Sequence, residues 1–529
     1  MRRLSRAGGG GGRAGVQRLE RAPGGRVEQR LRAGGQRGGL AIVRACATLR
    51  ARASAGARDT LCARGGRVGE SVAESLVSER NDITVVDTDP ARLAVLQERL
   101  DLRTVAGNGI QPSVLQEAGI EDTDMVISCA PADETNLVVC KVAHERFGVP
   151  TRIARVRSDE FADGNPLLDK KGFAVDKVIC PEQSVTDYIR KLIEYPAALQ
   201  VLEFAHGLVS LIAVRAVAEG PLVRHALGEI PALLPGLQMR IVAIYRQDKA
   251  LVDLDGATRI EPGDEVFVLA ATEHIRAILE ALGKMARPAR RIMIAGGGKV
   301  GLRLARQIHA EHELKLIEPN RARCDYLATQ LPPQVLVLHG DSTDEDLLGD
   351  EHIGQMDLFI ALTSDDEDNI MSCLLAKRMG VPRVLAVINR RAYADLVQGT
   401  AIDIAISPAH AVLGELLAFV RRGDVEAVHS LRRGAAEALE AIVRGDPRTC
   451  RIAGRRVDEL KLPAGAQIGA IVRGLHLADG SVAENATPRV IMAHHDTTIL
   501  QHDHVIVFVP RKRMVREIEK LFQVSATFF

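Results

Sequence analysis

The stretch "RIMIAGGGKVGLRLARQ", residues 291 to 307, decides the fold. Its first five residues form an apolar run suited to a strand buried on both faces, and the residues after the glycines carry the apolar spacing of a helix. Between the two, Gly296, Gly298 and Gly301 stand at the G-x-G-x-x-G spacing of a dinucleotide-binding turn, with Lys299 and Val300 inside it. Gly296 permits the tight turn, Gly298 lets backbone approach a pyrophosphate, and Gly301 lets the helix pack closely on the strand. The helix N-terminus adds free N–H groups and a positive dipole end. Glu318 closes the next apolar segment, "LKLIEPN", about twenty residues on. There it can accept hydrogen bonds from ribose hydroxyls and repel a 2′-phosphate, which favours NAD or NADH over the phosphorylated form. Tight packing without a nucleotide is the rival explanation of the glycines. The strand before, the helix after and the acid at the right distance weigh against it.

A damaged copy lies upstream. "TLCARGGRVGESVAESL", residues 60 to 76, keeps Gly66, Val68 and Gly69, but Arg64 replaces the turn glycine and the apolar strand is missing. Gly66 and Gly298 stand 232 residues apart, Asp87 and Glu318 231, and Gly107 and Gly340 233, so a duplication holds register to within a residue. The first half runs through "DITVVDTD", "LRTVAGNG", "MVISCA" and "RIARVR", and the second through "LKLIEPN", "VLVLHGDST", "LFIALTS" and "RVLAVIN". Short apolar strands alternating with helices of about ten to fifteen residues predict a parallel sheet covered on both faces. After each such unit the pattern turns β-rich and ends in "RIEPGDEVFVLA" or "TILQHDHVIVFVP", each followed by a helix.

The expected fold class is therefore α/β, with two Rossmann-like parallel-sheet lobes, each followed by a small β-rich α+β lobe. Residues 64–190 form the first Rossmann-like lobe without its first strand, 198–283 the first small lobe, 289–420 the second Rossmann-like lobe and 425–522 the second small lobe. Residues 1–63 are rich in arginine, glycine and alanine, hold no lysine, and lack both helical and strand periodicity. Such a segment cannot bury enough apolar surface to offset its ordering entropy and is expected to be disordered or foreign to the fold. A targeting peptide, a basic arm for nucleic acid, and translated sequence outside the domain are its three readings.

Ligands of such sheets lie at the carboxyl ends of the strands. Asn108 and Asp341 follow the third strands there; Asp133, Glu134 and Asn136 follow the fourth strand of the first half, matched by Asp365, Asp366 and Asn369. Helix capping is the alternative role for each of these. Arg155 and Arg157 could reach phosphates, pair with those acids, or be ordinary surface charges. His494, His495, His502 and His504 cluster near the C-terminus, but His502 to His504 occupy the place of "PGDE" in the first copy, a polar turn, so no metal site is expected.

Composition narrows the function classes. A net charge of +1 gives no general pull towards nucleic acid or anionic membrane. The absence of tryptophan and the 3% aromatic content argue against single-strand stacking platforms. No apolar run reaches the ~18 residues of a membrane span. Eight scattered cysteines, none in a C-x-x-C pair, point to a reducing compartment. No nucleophile with an attendant base, no H-E-x-x-H and no Walker lysine motif appears. An NAD-dependent oxidoreductase is the rival function, since a fold does not fix an activity. It would need a proton-transfer residue and a substrate domain, and the small lobes are short for that.

"GGGKVG", "LIEPN" and "LHGD", their partners "GGRVG", "VVDTD" and "AGNG", the duplication, and the endings "RIEPGDEVFVLA", "AHHDTTI", "DHVIVFVP" and "REIEKLFQVSATF" together resemble the TrkA family of Trk potassium-uptake regulatory subunits. That family consists of tandem RCK (KTN) modules, each a Rossmann-like N-lobe with a small C-lobe, and the similarity runs from about Gly65 to the C-terminus. The resemblance implies a cytoplasmic protein, peripheral on the inner face of the membrane through a potassium-translocating membrane subunit, that pairs into dimers or a tetrameric ring. It implies binding of NAD(H) and of ATP or ADP, and control of ion flux without catalysis. Carried over by position, Gly296, Gly298, Gly301 and Glu318 would hold nucleotide in the second module; Gly66, Gly69, Asp87 and Asn108 would do so in the first, with Arg155 a phosphate contact. Family members begin at or just before the first strand, so residues 1–63 are the departure.

Overall fold

A computed structural model of the chain describes residues 59–524, apart from 64–66, 79–80, 162–163, 248, 252–253, 284–287, 398–401, 421–424, 432–435 and 476–486. The leader up to residue 58, with Arg64 and Gly66, lies outside the described residues.

The first Rossmann-like lobe comprises β1 (Asp59–Ala63), α1 (Arg67–Ser78), β2 (Asp82–Asp87), α2 (Pro90–Arg99), β3 (Arg103–Ala106), α3 (Pro112–Ala118), β4 (Met125–Ser128), α4 (Asp133–Phe147), β5 (Thr151–Arg155), β6 (Lys177–Ile179) and α5 (Pro181–Glu194). Its sheet order is β3-β2-β1-β4-β5-β6, all parallel. The expectation that the first strand is missing is corrected here. Asp59–Ala63 pairs with β2 on one side and β4 on the other, filling the central slot. A central parallel strand is held by backbone hydrogen bonds to two neighbours, and "DTLCA" contains no proline or glycine to interrupt them. Five residues flanked by Arg58 and Arg64 are too few for a periodicity to show.

The first small lobe follows as β7 (Ala198–Phe204), β8 (Val209–Arg215), α6 (Ile230–Leu233), β9 (Met239–Arg246), β10 (Lys249–Ala250), β11 (Glu265–Ala271) and α7 (Ile275–Leu282). The second Rossmann-like lobe runs β12 (Arg291–Ala295), α8 (Lys299–Ile308), β13 (Glu313–Glu318), α9 (Arg321–Gln330), β14 (Val335–His339), α10 (Glu345–Asp350), β15 (Leu358–Ala361), α11 (Asp366–Arg378), β16 (Val384–Val387), α12 (Arg391–Val397), β17 (Ile404–Ile406) and α13 (Pro408–Val420). Its sheet order, β14-β13-β12-β15-β16-β17, repeats the first. The second small lobe holds β18 (Val425–Leu431), β19 (Ala436–Ile442), β20 (Gln467–Arg473), β21 (Arg489–Met492), β22 (His504–Val509) and α14 (Val515–Phe522). The two small sheets, β10-β9-β11-β8-β7 and β18-β19-β22-β20-β21, are antiparallel and equivalent strand for strand.

Local chemistry sets these boundaries. The repeated "GVP" ends helix α4 at Gly148 (φ +64°) and follows α11 with Gly380 (φ +102°), conformations that glycine adopts at no steric cost. Val149 and Val381 then drop into the core, 2% and 1% exposed.

Packing does not follow chain order. Val185, Ile189, Leu192 and Ile193 of α5 join the core of the second Rossmann-like lobe with Ile292, Ile294 and Ala305. Reciprocally, Val412, Leu413, Leu416 and Leu417 of α13 join a core with Val72, Leu76 and Val85 of the first lobe. Burying an apolar side chain contributes about 1.5–3 kcal/mol, so each exchanged helix ties the modules together strongly. The small sheets meet face to face through Phe204, Leu211, Phe267 and Leu269 on one side and Ala438, Val472, Ile506 and Phe508 on the other.

Each small lobe is further pinned by a bidentate Arg–Asp pair. Arg246 donates to both oxygens of Asp264 at 2.9 Å, and Arg473 to both oxygens of Asp503 at 2.8 Å, with the aspartates 1% and 0% exposed. This accounts for the histidine run. His502 takes a left-handed turn position (φ +64°) where the first copy has Gly263 (φ +91°), and His504 is buried against Glu440.

Candidate functional site at the glycine turn

The three glycines of the second lobe have distinct physical reasons. Gly296 (φ +105°) donates its N–H to the Ile317 carbonyl at 2.8 Å, and a Cβ there would lie 2.9 Å from the Leu362 carbonyl and the Thr363 nitrogen. Gly301 is buried in α8, where a Cβ would fall 2.1 Å from the Gly296 oxygen. Gly298 differs. It is the exposed N-cap of α8 with an ordinary φ of −65°, and a Cβ would meet nothing within 4 Å. Packing within the chain does not demand glycine at this position, so the open space over its backbone is a cradle that a methyl group would fill.

Around this cradle, Lys299 is exposed as the first residue of α8, while Val300 packs against the lobe's core. Glu318, at the end of β13, accepts from the Gly297 N–H at 2.9 Å and from the Asn320 N–H at 3.0 Å. Both bonds fix the carboxylate beside the turn while leaving lone pairs for hydroxyl donors. Asn320 caps α9 by accepting from Arg323 N–H, and Arg323 turns back to donate Nε–H to the Gly297 carbonyl at 2.7 Å. Arg323 escaped the sequence analysis, as did Arg92 in the first lobe, which reaches within 3.6 Å of Asp87. The signal was present: each arginine stands three residues after a helix-capping residue, in "DPAR" and "NRAR". Asp341, exposed after β14, accepts from Thr343 N–H and Oγ1–H at 2.8 Å, a local turn close to the site.

The first lobe repeats the frame. Asp87 is fully buried at the end of β2 and accepts from Asp89 N–H at 2.9 Å, as Glu318 does from Asn320. Gly107 N–H donates to the Asp87 carbonyl and Gly340 N–H to that of Glu318, so Asn108 and Asp341 hold matching places. Asn108 accepts from Ile110 N–H at 3.2 Å. Gly69 is buried in α1; Gly66 and the side chain of Val68 lie outside the described residues.

The acids after the fourth strands divide in role. Asp365 caps α11. Asp133 instead accepts from the backbone N–H groups of Arg157 and Ser158, and Asp366 from those of Asn389 and Arg390. Asn136 and Asn369, both fully buried, donate to the carbonyls of Arg155 and Val387. These groups clasp the fourth and fifth strands together. Arg155 pairs with Glu182 at 3.0 Å and not with the acids after the fourth strand; Arg157 Nε lies 3.5 Å from the same carboxylate. A cleft of about 920 Å³ lies elsewhere, among α5, β7, β17, α13 and β18, and does not include the glycine turn.

The TrkA-N domain family matches residues 63–181 and 292–408, and the TrkA-C domain family matches residues 211–283. The Trk system potassium uptake protein TrkA of Halomonas elongata is 49% identical over 464 residues, covering 88% of this chain and 98% of the relative. Those of Vibrio alginolyticus and Haemophilus influenzae are 47% and 43% identical, with the same coverage. Among solved structures, the GsuK RCK domain aligns with a TM-score of 0.51 at 16% identity, covering 87% of this chain and 93% of that one. The GsuK channel bound to NAD aligns with a TM-score of 0.51 at 14% identity, covering 87% and 78%. At these identities the two GsuK structures speak for the fold alone.

Proposed function

This chain belongs to the TrkA family of Trk-system potassium uptake proteins, and from that premise we propose that it is a nucleotide-sensing regulatory subunit controlling potassium flux through a membrane partner. The observation that carries the nucleotide part is the Gly298 cradle beside the fixed carboxylate of Glu318. In the second module Gly296, Gly298, Lys299, Gly301 and Glu318 would hold NAD(H), the backbone meeting the pyrophosphate and the acid meeting ribose hydroxyls. Asp341 borders the same site. In the first module Gly66, Val68, Gly69, Asp87, Asn108 and Arg155 would hold a second nucleotide, NAD(H) or ATP/ADP.

Among the described residues no helix is long and apolar enough to cross a membrane. As a member of that family the chain would act from the cytoplasmic face, docked on the potassium-translocating subunit and assembled into a dimer or a tetrameric ring. Regulation, not catalysis, is its role. A ligand moves an equilibrium between module arrangements only through different affinities for the two states, and the exchanged helices α5 and α13 make each arrangement a property of both modules. Calorimetric titration of the full chain with NADH, beside Glu318→Ala and Asp87→Ala, tests the site assignment. Two sites per chain, each lost with its own acid, are expected; a full complement of sites in both variants would overturn it.

A further inference from the structure

Helix α8, which carries the Gly298 cradle at its N-terminus, also reaches into the other module. Arg303 lies five residues beyond Gly298, about 7.5 Å along the helix axis. Its guanidinium donates to the carbonyl of Arg157 at 2.8 Å and to the sulfur of Cys180 at 3.0 Å. Cys180 is the N-cap of α5, and Arg157 lies two residues beyond the carboxyl end of β5. Around them Arg155 pairs with Glu182 in a half-buried site, and the Nε atoms of Arg155 and Arg157 are buried without a hydrogen-bond partner among the described residues. One element of the second module thus grips the edge of the first module's sheet where that sheet would receive its ligand.

The opposite junction, where α13 meets α1, is built without these groups. The duplication places Ser71 opposite Arg303, Val387 opposite Arg155, Ser407 opposite Cys180 and Ala409 opposite Glu182. The apolar packing of the exchanged helices is shared by the two junctions, whereas the guanidinium bridge is confined to one.

We propose that Arg303 is a positioning residue that couples the two nucleotide sites, transmitting occupancy at the α8 N-terminus to the Arg155–Glu182 pair at the end of β5. The proposal rests on the nucleotide reading above. Arg303 serves because its planar fork spans two acceptors at once; a lysine ammonium is a single point on a flexible stem and does not. Cys180, held by the same fork, reports locally on the bridge: it is half-buried, whereas the other described cysteines outside β1 are buried.

The test measures labelling of Cys180 in the full chain by a thiol reagent, mapped by peptide mass spectrometry, with and without saturating NADH. NADH binding is followed by calorimetry on the same samples. Coupling between sites commonly amounts to a factor of 5 or more. In Asp87→Ala, where NADH occupies the second module alone, the Cys180 labelling rate is expected to change by about that factor on NADH binding, and not at all once Glu318→Ala is added. In the same Asp87→Ala background, Arg303→Gln and Arg303→Lys both keep the isotherm at the second module while the labelling response shrinks below about twofold. An Asp87→Ala chain that binds NADH with unchanged Cys180 labelling overturns the coupling, as does an undiminished response in the Arg303 variants. Absence of NADH heat in the wild type overturns the nucleotide reading, and the coupling with it.

Discussion

Replacing Gly298 and Gly301 by alanine, one at a time, separates ligand binding from folding within a single turn. At Gly298 the backbone already has the φ of an ordinary residue, and the new Cβ meets nothing within 4 Å. Alanine is a poorer N-cap than glycine by about 0.5–1 kcal/mol, and its smaller unfolded-state entropy returns about 0.4–1 kcal/mol. The two terms cancel, so Gly298→Ala should melt within about a degree of wild type. Its methyl group, however, occupies the approach to the helix N–H groups. Losing one hydrogen bond to a charged ligand costs about 1.5–3 kcal/mol, or roughly 10- to 100-fold in affinity for NADH. At Gly301 the Cβ lies 2.1 Å from the Gly296 oxygen, so helix and strand must part by about 1 Å. Overpacking of that kind costs about 1–3 kcal/mol and should lower the melting temperature by a few degrees. Calorimetry with NADH and thermal unfolding of the two variants measure both quantities. Equal affinity in Gly298→Ala and wild type would refute the assignment of the cradle, and a melting temperature for Gly301→Ala equal to wild type would refute the packing argument.

Two further outcomes concern the small lobes. Asp503→Ala removes the buried half of the Arg473 fork and leaves the Leu500 N–H without its acceptor; since Arg473 is 36% exposed, the loss is discounted from the ~3–5 kcal/mol of a fully buried pair to about 2–3 kcal/mol, read as a shift in the denaturant midpoint. His429 is half-buried edge-on against Phe204 and donates to the Glu203 carbonyl at 3.0 Å, and desolvation pushes its pKa below the ordinary 6.5. The unfolded chain therefore takes up a proton that the folded one refuses, so stability is complete above pH 6.5 and falls as pH drops towards the lowered native value, by at most about 1.4 kcal/mol per unit. Urea midpoints across that range should flatten in His429→Gln; an unchanged slope would exonerate this residue.

The alternation of apolar strands and helices, the fixed offset between the halves and the glycine spacing made both Rossmann-like sheets legible in sequence, because each rests on local periodicity. Glu318 and Asp87 were legible for the same reason, standing at the ends of predicted strands. What escaped depended on contacts across the chain. Asp59–Ala63 reads as leader until β2 and β4 are seen flanking it. The exchange of α5 and α13 is hidden because an apolar helix face does not specify which lobe covers it. Arg303 looks like a surface charge on an amphipathic helix, and only the placement of Cys180 and Arg157 against it reveals a bridge. Asp133 and Asp366 fit the pattern of caps, yet their carboxylates turn towards the next strand.

Potassium flux through a reconstituted Trk membrane subunit carrying this chain tests the central claim most directly, with NADH, NAD, ATP and ADP supplied in turn to wild type and to Glu318→Ala. The account predicts that at least one nucleotide changes the flux and that the NADH response is lost in Glu318→Ala. Flux that depends on the chain being present but is indifferent to every adenine nucleotide would contradict it.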